Sequence, residues 1–183
     1  MLQQALDAGK RMDNPFLSSW AEWNLGLLPM LAGDLGSAKA YFVRGVEQAQ
    51  RISYVRLYQL CYESLAAIAL TEKDTEHAKE YALECLRISQ QGGQTREMLA
   101  SLRDLAWVDI AQGNPEQALQ LLAVVLNHPA SEQNSLTRPE RLRDEAEKLR
   151  AEVESLLSKS DFQAAWEAGQ RRQLSDVVAQ ILN

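Results

Sequence analysis

The side chains that most often carry catalysis are few in this chain. Its two histidines, His77 and His128, each stand alone in the local sequence, and neither belongs to a metal-ligand pattern such as His-Glu-x-x-His. The two cysteines, Cys61 and Cys85, fall on apolar stripes of predicted helices, which favours buried small side chains over nucleophiles. We therefore expect no catalytic, metal-binding or cofactor-binding residues, and so no enzyme.

Two further patterns have structural explanations. Gly92-Gly93 is not followed by Lys-Ser or Lys-Thr, so it is typical of a helix end and not of a phosphate-binding loop. The glutamates between positions 145 and 154 alternate with basic residues, which indicates a solvated helix face with weak ion pairs. Neither pattern predicts acid-base chemistry.

Tryptophans and charged residues at matching positions are the sharper signal. The positions spaced by forty residues are Trp23, Glu63 and Arg103; Leu27, Ala67 and Trp107; and Asn24, Ser64 and Asp104, with Trp20 one helical turn before Trp23. Indoles beside charged residues are typical of a peptide-binding site, because tryptophan and arginine dominate interface energetics. The alternative, which the sequence leaves open, is that the tryptophans pack as core between repeats.

A repeat of about forty residues must position these side chains. Each copy predicts a helix, a tight polar turn and a second helix. The aligned columns are Leu25, Leu65 and Leu105; Gly26, Ala66 and Ala106; and Ala38, Ala78 and Ala118. Small residues at fixed places on both helices allow their backbones to approach closely, so we expect tightly closed hairpins.

The predicted array covers residues 1–128. A half repeat at 1–14 matches the second-helix pattern, and full repeats follow at about 15–54, 55–94 and 95–128. Their helices are predicted at 16–32, 35–53, 55–71, 75–91, 95–112 and 115–127. Pro29 predicts a bend in the first of these, and Asn114 before Pro115 predicts a capped helix start.

Residues 129–183 are predicted to form C-terminal capping helices. A capping box at Thr137 and Glu140 begins a helix over 138–157, which is too short for an independent coiled coil and should pack over the end of the array. Shorter helices are predicted at 160–168, with Gly169 as its stop, and at 175–182. Trp166 is expected to anchor this region in the core.

Charge and composition exclude some partners. The net charge of -6 disfavours direct nucleic-acid binding, which needs a basic face. No apolar run reaches the length of a membrane span, and the first residues have no signal-peptide layout. Two cysteines without a disulfide framework favour a reducing compartment, so we expect a cytoplasmic protein.

The repeat columns resemble the tetratricopeptide repeat, although the spacing of forty exceeds the usual length of about 34 residues. The resemblance implies an all-α fold, a right-handed superhelix of helix-turn-helix repeats with a C-terminal helical cap. In such a superhelix the first helices line a concave face. The residues predicted to bind a partner there are Trp20, Trp23, Asn24, Leu27, Glu63, Ser64, Arg103 and Trp107.

The run SDFQAAWEAGQRRQLSDVVAQIL resembles the C-terminal tail of sensor regions in LuxR-like and AfsR-like bacterial regulators, in which a signal-transduction ATPase precedes the repeats. This implies a non-catalytic region that binds a protein, a peptide or a small effector and relays it to upstream domains of the same polypeptide. A stand-alone adaptor that joins two proteins is the alternative. The half repeat at 1–14 favours an array cut from a longer one, and it also offers a surface for a homodimer.

Overall fold

The computed structural model describes residues 1–132 and 141–183, and within them the chain is helical without a β-strand. The helices are α1 (Leu2–Arg11), α2 (Pro15–Leu31), α3 (Leu35–Arg51), α4 (Val55–Glu72), α5 (Thr75–Gln91), α6 (Thr95–Ala111), α7 (Pro115–Asn127), α8 (Leu142–Leu156), α9 (Lys159–Gln170) and α10 (Leu174–Leu182), with a 3₁₀ helix (Pro129–Glu132) after α7. The predicted all-α class is confirmed. The predicted capping box at Thr137 and Glu140 lies outside the described residues.

Short polar side chains begin the helices of the array. The side chains of Asn14, Asp34 and Asp74 accept hydrogen bonds from the backbone amides three residues ahead, at the starts of α2, α3 and α5. These bonds satisfy amide groups that a helix start leaves without partners. Asn114 makes no such bond, so α7 begins with Pro115 but without the predicted side-chain cap.

The chain divides into two compact units, residues 1–68 and 69–183, with the boundary inside α4. In the first unit α1 packs on α2, and α2 packs on α3. The small residues mark the close approaches: a Cβ on Gly26 would lie 2.7 Å from the Phe42 ring, and one on Gly45 would lie 2.7 Å from Cys61 Sγ. The expectation of a tightly closed hairpin is confirmed for α2 and α3 at Gly26, whereas Gly45 marks a close approach between α3 and α4.

In the second unit α7 is the central element. It contacts α6 on one side and α8 and α9 on others, and α10 contacts α5. The buried residues of α7 are Ala118, Leu119, Leu121, Leu122, Ala123, Val124, Val125 and Leu126. The C-terminal helices therefore share one hydrophobic core with α6 and α7. A right-handed superhelical arrangement of the whole array stays a prediction.

The C-terminal helices differ from the sequence prediction in their details. Gly169 does not end α9: the helix runs to Gln170, and a Cβ on Gly169 would lie 2.5 Å from the backbone oxygen of Gln120 in α7. This glycine is a point of contact between helices. The cap of α9 is Ser158, whose hydroxyl accepts from the amide of Asp161.

The helix α8 packs as predicted. It contacts α6 and α7, and Leu142, Ala146 and Val153 are fully buried. Leu156, at the end of α8, is exposed. The buried apolar residues of α8 therefore serve packing within the unit.

Candidate partner-binding residues

The two tryptophans of α2 have different environments. Trp23 is only 6% exposed, and its indole nitrogen donates to the hydroxyl of Ser64, 3.4 Å away. Trp20 is half-buried and meets the Trp23 ring edge-to-face, with centroids 5.6 Å apart. Trp23 thus fixes α2 against α4, while Trp20 presents part of its ring to solvent.

The other predicted residues of the first unit divide in the same way. Glu63 and Ser64 are buried, and the Ser64 hydroxyl donates to the carbonyl of Leu60. Asn24 and Leu27 are half-buried, and the Asn24 amide donates to the backbone oxygen of Trp20 at 2.8 Å. Asn24 and Leu27 are therefore the residues of this group that a partner can reach.

An exposed apolar stripe on α2 extends beyond the predicted residues. Phe16 is 48% exposed and Leu31 is 83% exposed. Together with Trp20, Asn24 and Leu27 they follow a spacing of three or four residues, which places all five on one face of the helix. We call these five residues the α2 stripe. Sequence analysis missed its two ends because Phe16 and Leu31 lie outside the rows of tryptophan and charge.

Arg103 of α6 belongs to an ion-pair network in the second unit. Its side chain is 2% exposed, donates to Asp104 Oδ1 at 2.7 Å, and donates to Glu145 of α8. Glu145 was expected on a solvated face, but it is half-buried and pairs with this arginine. The prediction for Glu145 is wrong because its partner lies 42 positions away along the chain, where no local pattern indicates it.

Of the two predicted site residues in the second unit, Arg103 and Trp107, only Trp107 has a partly exposed side chain. It is half-buried and packs, with Leu70 and Tyr81, against a small cluster of Ala69, Ala78 and Val108. One side of its ring thus stabilises the contact between α5 and α6. The rest of the ring is solvent-accessible in the second unit.

A buried carboxylate in the first unit escaped the sequence analysis. The side chain of Glu22 is 2% exposed, and it pairs with Arg44 of α3 at 3.2 Å and with Lys10 of α1 at 3.7 Å. A charge taken out of water needs such partners. Glu22 therefore ties α2 to both of its neighbours, and only the folded arrangement brings these three residues together.

Cys61 and His77, two side chains that can carry chemistry, have different environments. Cys61 is buried, and the loss of solvent, together with the charge of Glu22, raises the pKa of its thiol to about 12. A thiol with that pKa stays protonated and is a poor nucleophile. His77 is exposed and hydrogen-bonds Asp74 at 2.7 Å, beside the start of α5.

The described residues contain neither a group placed to bind a metal ion nor a membrane-spanning helix. No group of three or more histidine, cysteine, aspartate or glutamate residues in 1–132 and 141–183 is placed to hold a metal ion. No helix in the same residues has both the length and the apolar character that a bilayer span requires.

Comparison of the chain with protein-family models, with curated proteins and with solved structures found no match. Its function must be inferred from its own residues. Of the eight predicted residues, four are buried and four are half-buried. The buried ones are Trp23, Glu63, Ser64 and Arg103, and the half-buried ones are Trp20, Asn24, Leu27 and Trp107.

Proposed function

We propose that this chain is a non-catalytic, protein-binding region built from helical repeats. The observation that carries the proposal is the α2 stripe, in which large apolar side chains share one helix face and remain accessible. Contiguous exposed apolar surface marks interaction sites in soluble proteins, and tryptophan is over-represented among the residues that dominate binding energy.

The chemistry of the stripe favours an apolar peptide segment as the partner. Trp20, Leu27 and Leu31 offer apolar area along one face of α2, with Asn24 on the turn between the first two, which suits a helix or an extended strand laid along it. Asn24 donates from its amide nitrogen to the backbone of Trp20, and its amide oxygen can accept a hydrogen bond from a partner. A mixed apolar and hydrogen-bonding face is typical of recognition surfaces.

The proposal extends to a sensor role in a larger bacterial regulator. It is supported by the resemblance of the C-terminal tail to sensor regions of LuxR-like and AfsR-like regulators. Trp166 of that tail stacks on Phe162 and lies beneath the guanidinium of Arg150, as expected of an anchoring residue. A cytoplasmic location belongs to this role, and both cysteines are free thiols, as in reducing compartments.

A sensor acts by binding its partner with different affinity in two states of the regulator. In the proposed role, occupation of the repeat surface changes its contacts with the upstream domains of the same polypeptide. The DNA upstream of the coding sequence tests whether such domains belong to the same polypeptide. An ATPase encoded upstream in frame supports the sensor, whereas a stop codon directly before the coding sequence favours the stand-alone adaptor.

Site-specific photocrosslinking in the cells that produce the protein tests the binding surface. A photoreactive phenylalanine is placed singly at Trp20, Leu27 or Leu31, and at Glu47 on an exposed position of α3 as the control. The proposal predicts a discrete crosslinked protein at the three stripe positions and not at Glu47. Equal crosslinking at all four positions, or none at the stripe, contradicts it.

A further inference from the structure

A cleft of about 460 Å³ lies within the second unit. Its walls come from α5, α6, α7 and α10. Buried apolar side chains, among them Leu105, Val108 and Leu121, form its floor. A volume in this range and an apolar floor with a few polar groups are typical of sites for small molecules.

The carboxylate of Asp109 is the unusual group in this cleft. It lies near the end of α6, is half-buried, and makes no hydrogen bond to any of the residues that the structure describes. Burial raises the pKa of this carboxyl to about 6, although the charge of Lys79 opposes the change. A half-buried carboxylate beside an apolar floor is less well solvated than an exposed one, and a bound ammonium group would supply a hydrogen-bond donor to it.

Two cations line the same cleft. Lys79 comes from α5, and Arg172 comes from the segment between α9 and α10. Arg172 also donates to the side chain of Gln180, another lining residue of the cleft. Guanidinium and ammonium groups are the usual partners of a ligand carboxylate.

We propose that this cleft binds a small zwitterionic ligand of the α-amino-acid class. Its ammonium group pairs with Asp109, its carboxylate pairs with Lys79 and Arg172, and its side chain lies on the apolar floor. This inference does not rest on the proposed protein-binding function. It uses residues of the second unit that lie outside the α2 stripe, so either can fail without the other.

The charge pattern disfavours ligands with a single charge. A simple amine would meet Asp109 but would be repelled by Lys79 and Arg172. A simple carboxylate would meet the two cations and would be repelled by Asp109. A molecule that carries both charges can pair with all three groups, which is how a site obtains specificity from charge.

Isothermal titration calorimetry with defined probes tests the proposal. The intact chain is titrated with L-leucine, L-glutamine and L-phenylalanine, and with isoamylamine and 4-methylpentanoate as single-charge analogues of leucine. We expect saturable binding of at least one amino acid, and binding of each single-charge analogue at least about tenfold weaker. No binding of any amino acid up to about 10 mM, or equal binding of isoamylamine, overturns the proposal.

A pair of variants locates the binding. Asp109→Asn removes the charge but keeps the size, and should weaken amino-acid binding by at least about tenfold. Glu154→Gln makes the same change at an exposed position of α8 outside the cleft and should leave binding unchanged. Circular dichroism and the melting temperature confirm that both variants fold. Equal affinity in Asp109→Asn and the unchanged protein overturns the assignment of the site.

Discussion

Gly26 and Gly36 are two helical glycines with opposite surroundings. A Cβ on Gly26 would meet the ring of the fully buried Phe42 at 2.7 Å, whereas Gly36 of α3 has only Asp34 Oδ1 near it, at 3.9 Å. Gly26→Ala should therefore destabilise the fold by about 1–3 kcal/mol, because overpacking outweighs the gain in helix propensity. Gly36→Ala should be neutral or stabilising by up to about 1 kcal/mol.

Urea unfolding of the two glycine variants measures this difference. Each variant changes one hydrogen for one methyl group within a helix, so they form a matched pair. If Gly26→Ala is as stable as Gly36→Ala, the close packing of α2 on α3 is not as the structure has it.

Asp109 gives a prediction about pH. Its carboxyl has a pKa of about 6 in the folded chain against an ordinary value of 3.8. Between about pH 4 and pH 6, the folded state therefore keeps a proton on this carboxyl that the unfolded state has lost. Stability from this group is therefore greatest below about pH 4 and is lost as the pH rises through about 6. At pH 7.5, Asp109→Asn should stabilise the fold by about 1 kcal/mol, after allowance for solvent screening of a half-exposed group.

Thermal melts of Asp109→Asn and the unchanged protein at pH 7.5 and at pH 4 check this. The difference in melting temperature should favour the variant at the higher pH and nearly vanish at the lower one. A variant that is less stable at pH 7.5 would mean that the charge of Asp109 is well solvated, and would remove the reason for assigning it a ligand.

The burial of Arg103 leads to a prediction about the stability of the fold. It is almost fully buried beside Asp104 and Glu145, so Arg103→Met removes a buried cation that pairs with both carboxylates and should cost about 3 kcal/mol. The control is Arg171→Met, which breaks a pair between an arginine that is 77% exposed and Glu167. That change should cost less than about 1 kcal/mol, because exposed ion pairs contribute little. Equal costs in chemical unfolding would show that Arg103 is solvated.

At the scale of elements, α9 depends on one contact with α7. A side chain at Gly169 would collide with the backbone oxygen of Gln120. Gly169→Val should therefore lift α9 from α7 and increase amide hydrogen exchange across residues 159–170. Ala164→Val introduces the same side chain at an exposed position of α9 and should leave exchange nearly unchanged. Equal protection of α9 in both variants contradicts the close approach.

The helices were predictable because local signals define them. Asp34 and Asp74 mark helix starts through contacts three residues away, and the apolar stripes show which face is buried. The functional details were less predictable because they depend on distant pairs. Glu145 meets Arg103 only after α8 packs beside α6, and Asp109 meets Lys79 only after α5 packs beside α6. No spacing in the sequence encodes such encounters.

The forty-residue spacing placed tryptophans at aligned positions but did not predict which of them are buried. Register placed Trp20 and Trp23 together, and both lie on α2. Which of them is buried depends on Ser64, to which only the Trp23 indole donates. Register also gave no sign of Leu31, the most exposed residue of the α2 stripe, because its matching positions carry no repeated chemistry.

Protein binding by the whole molecule is proposed to depend on the α2 stripe. The test is a calorimetric titration of the partner identified by photocrosslinking. Its affinity is measured for the unchanged protein and for the Trp20→Ala and Leu31→Ala variants. The control is Val43→Ala, which shortens an exposed apolar side chain of α3 outside the stripe. We expect at least about tenfold weaker binding for both stripe variants and an unchanged affinity for the control. All three variants should give the circular-dichroism spectrum of a folded protein. Unchanged affinity in both stripe variants, or an equal loss in Val43→Ala, would contradict the proposal.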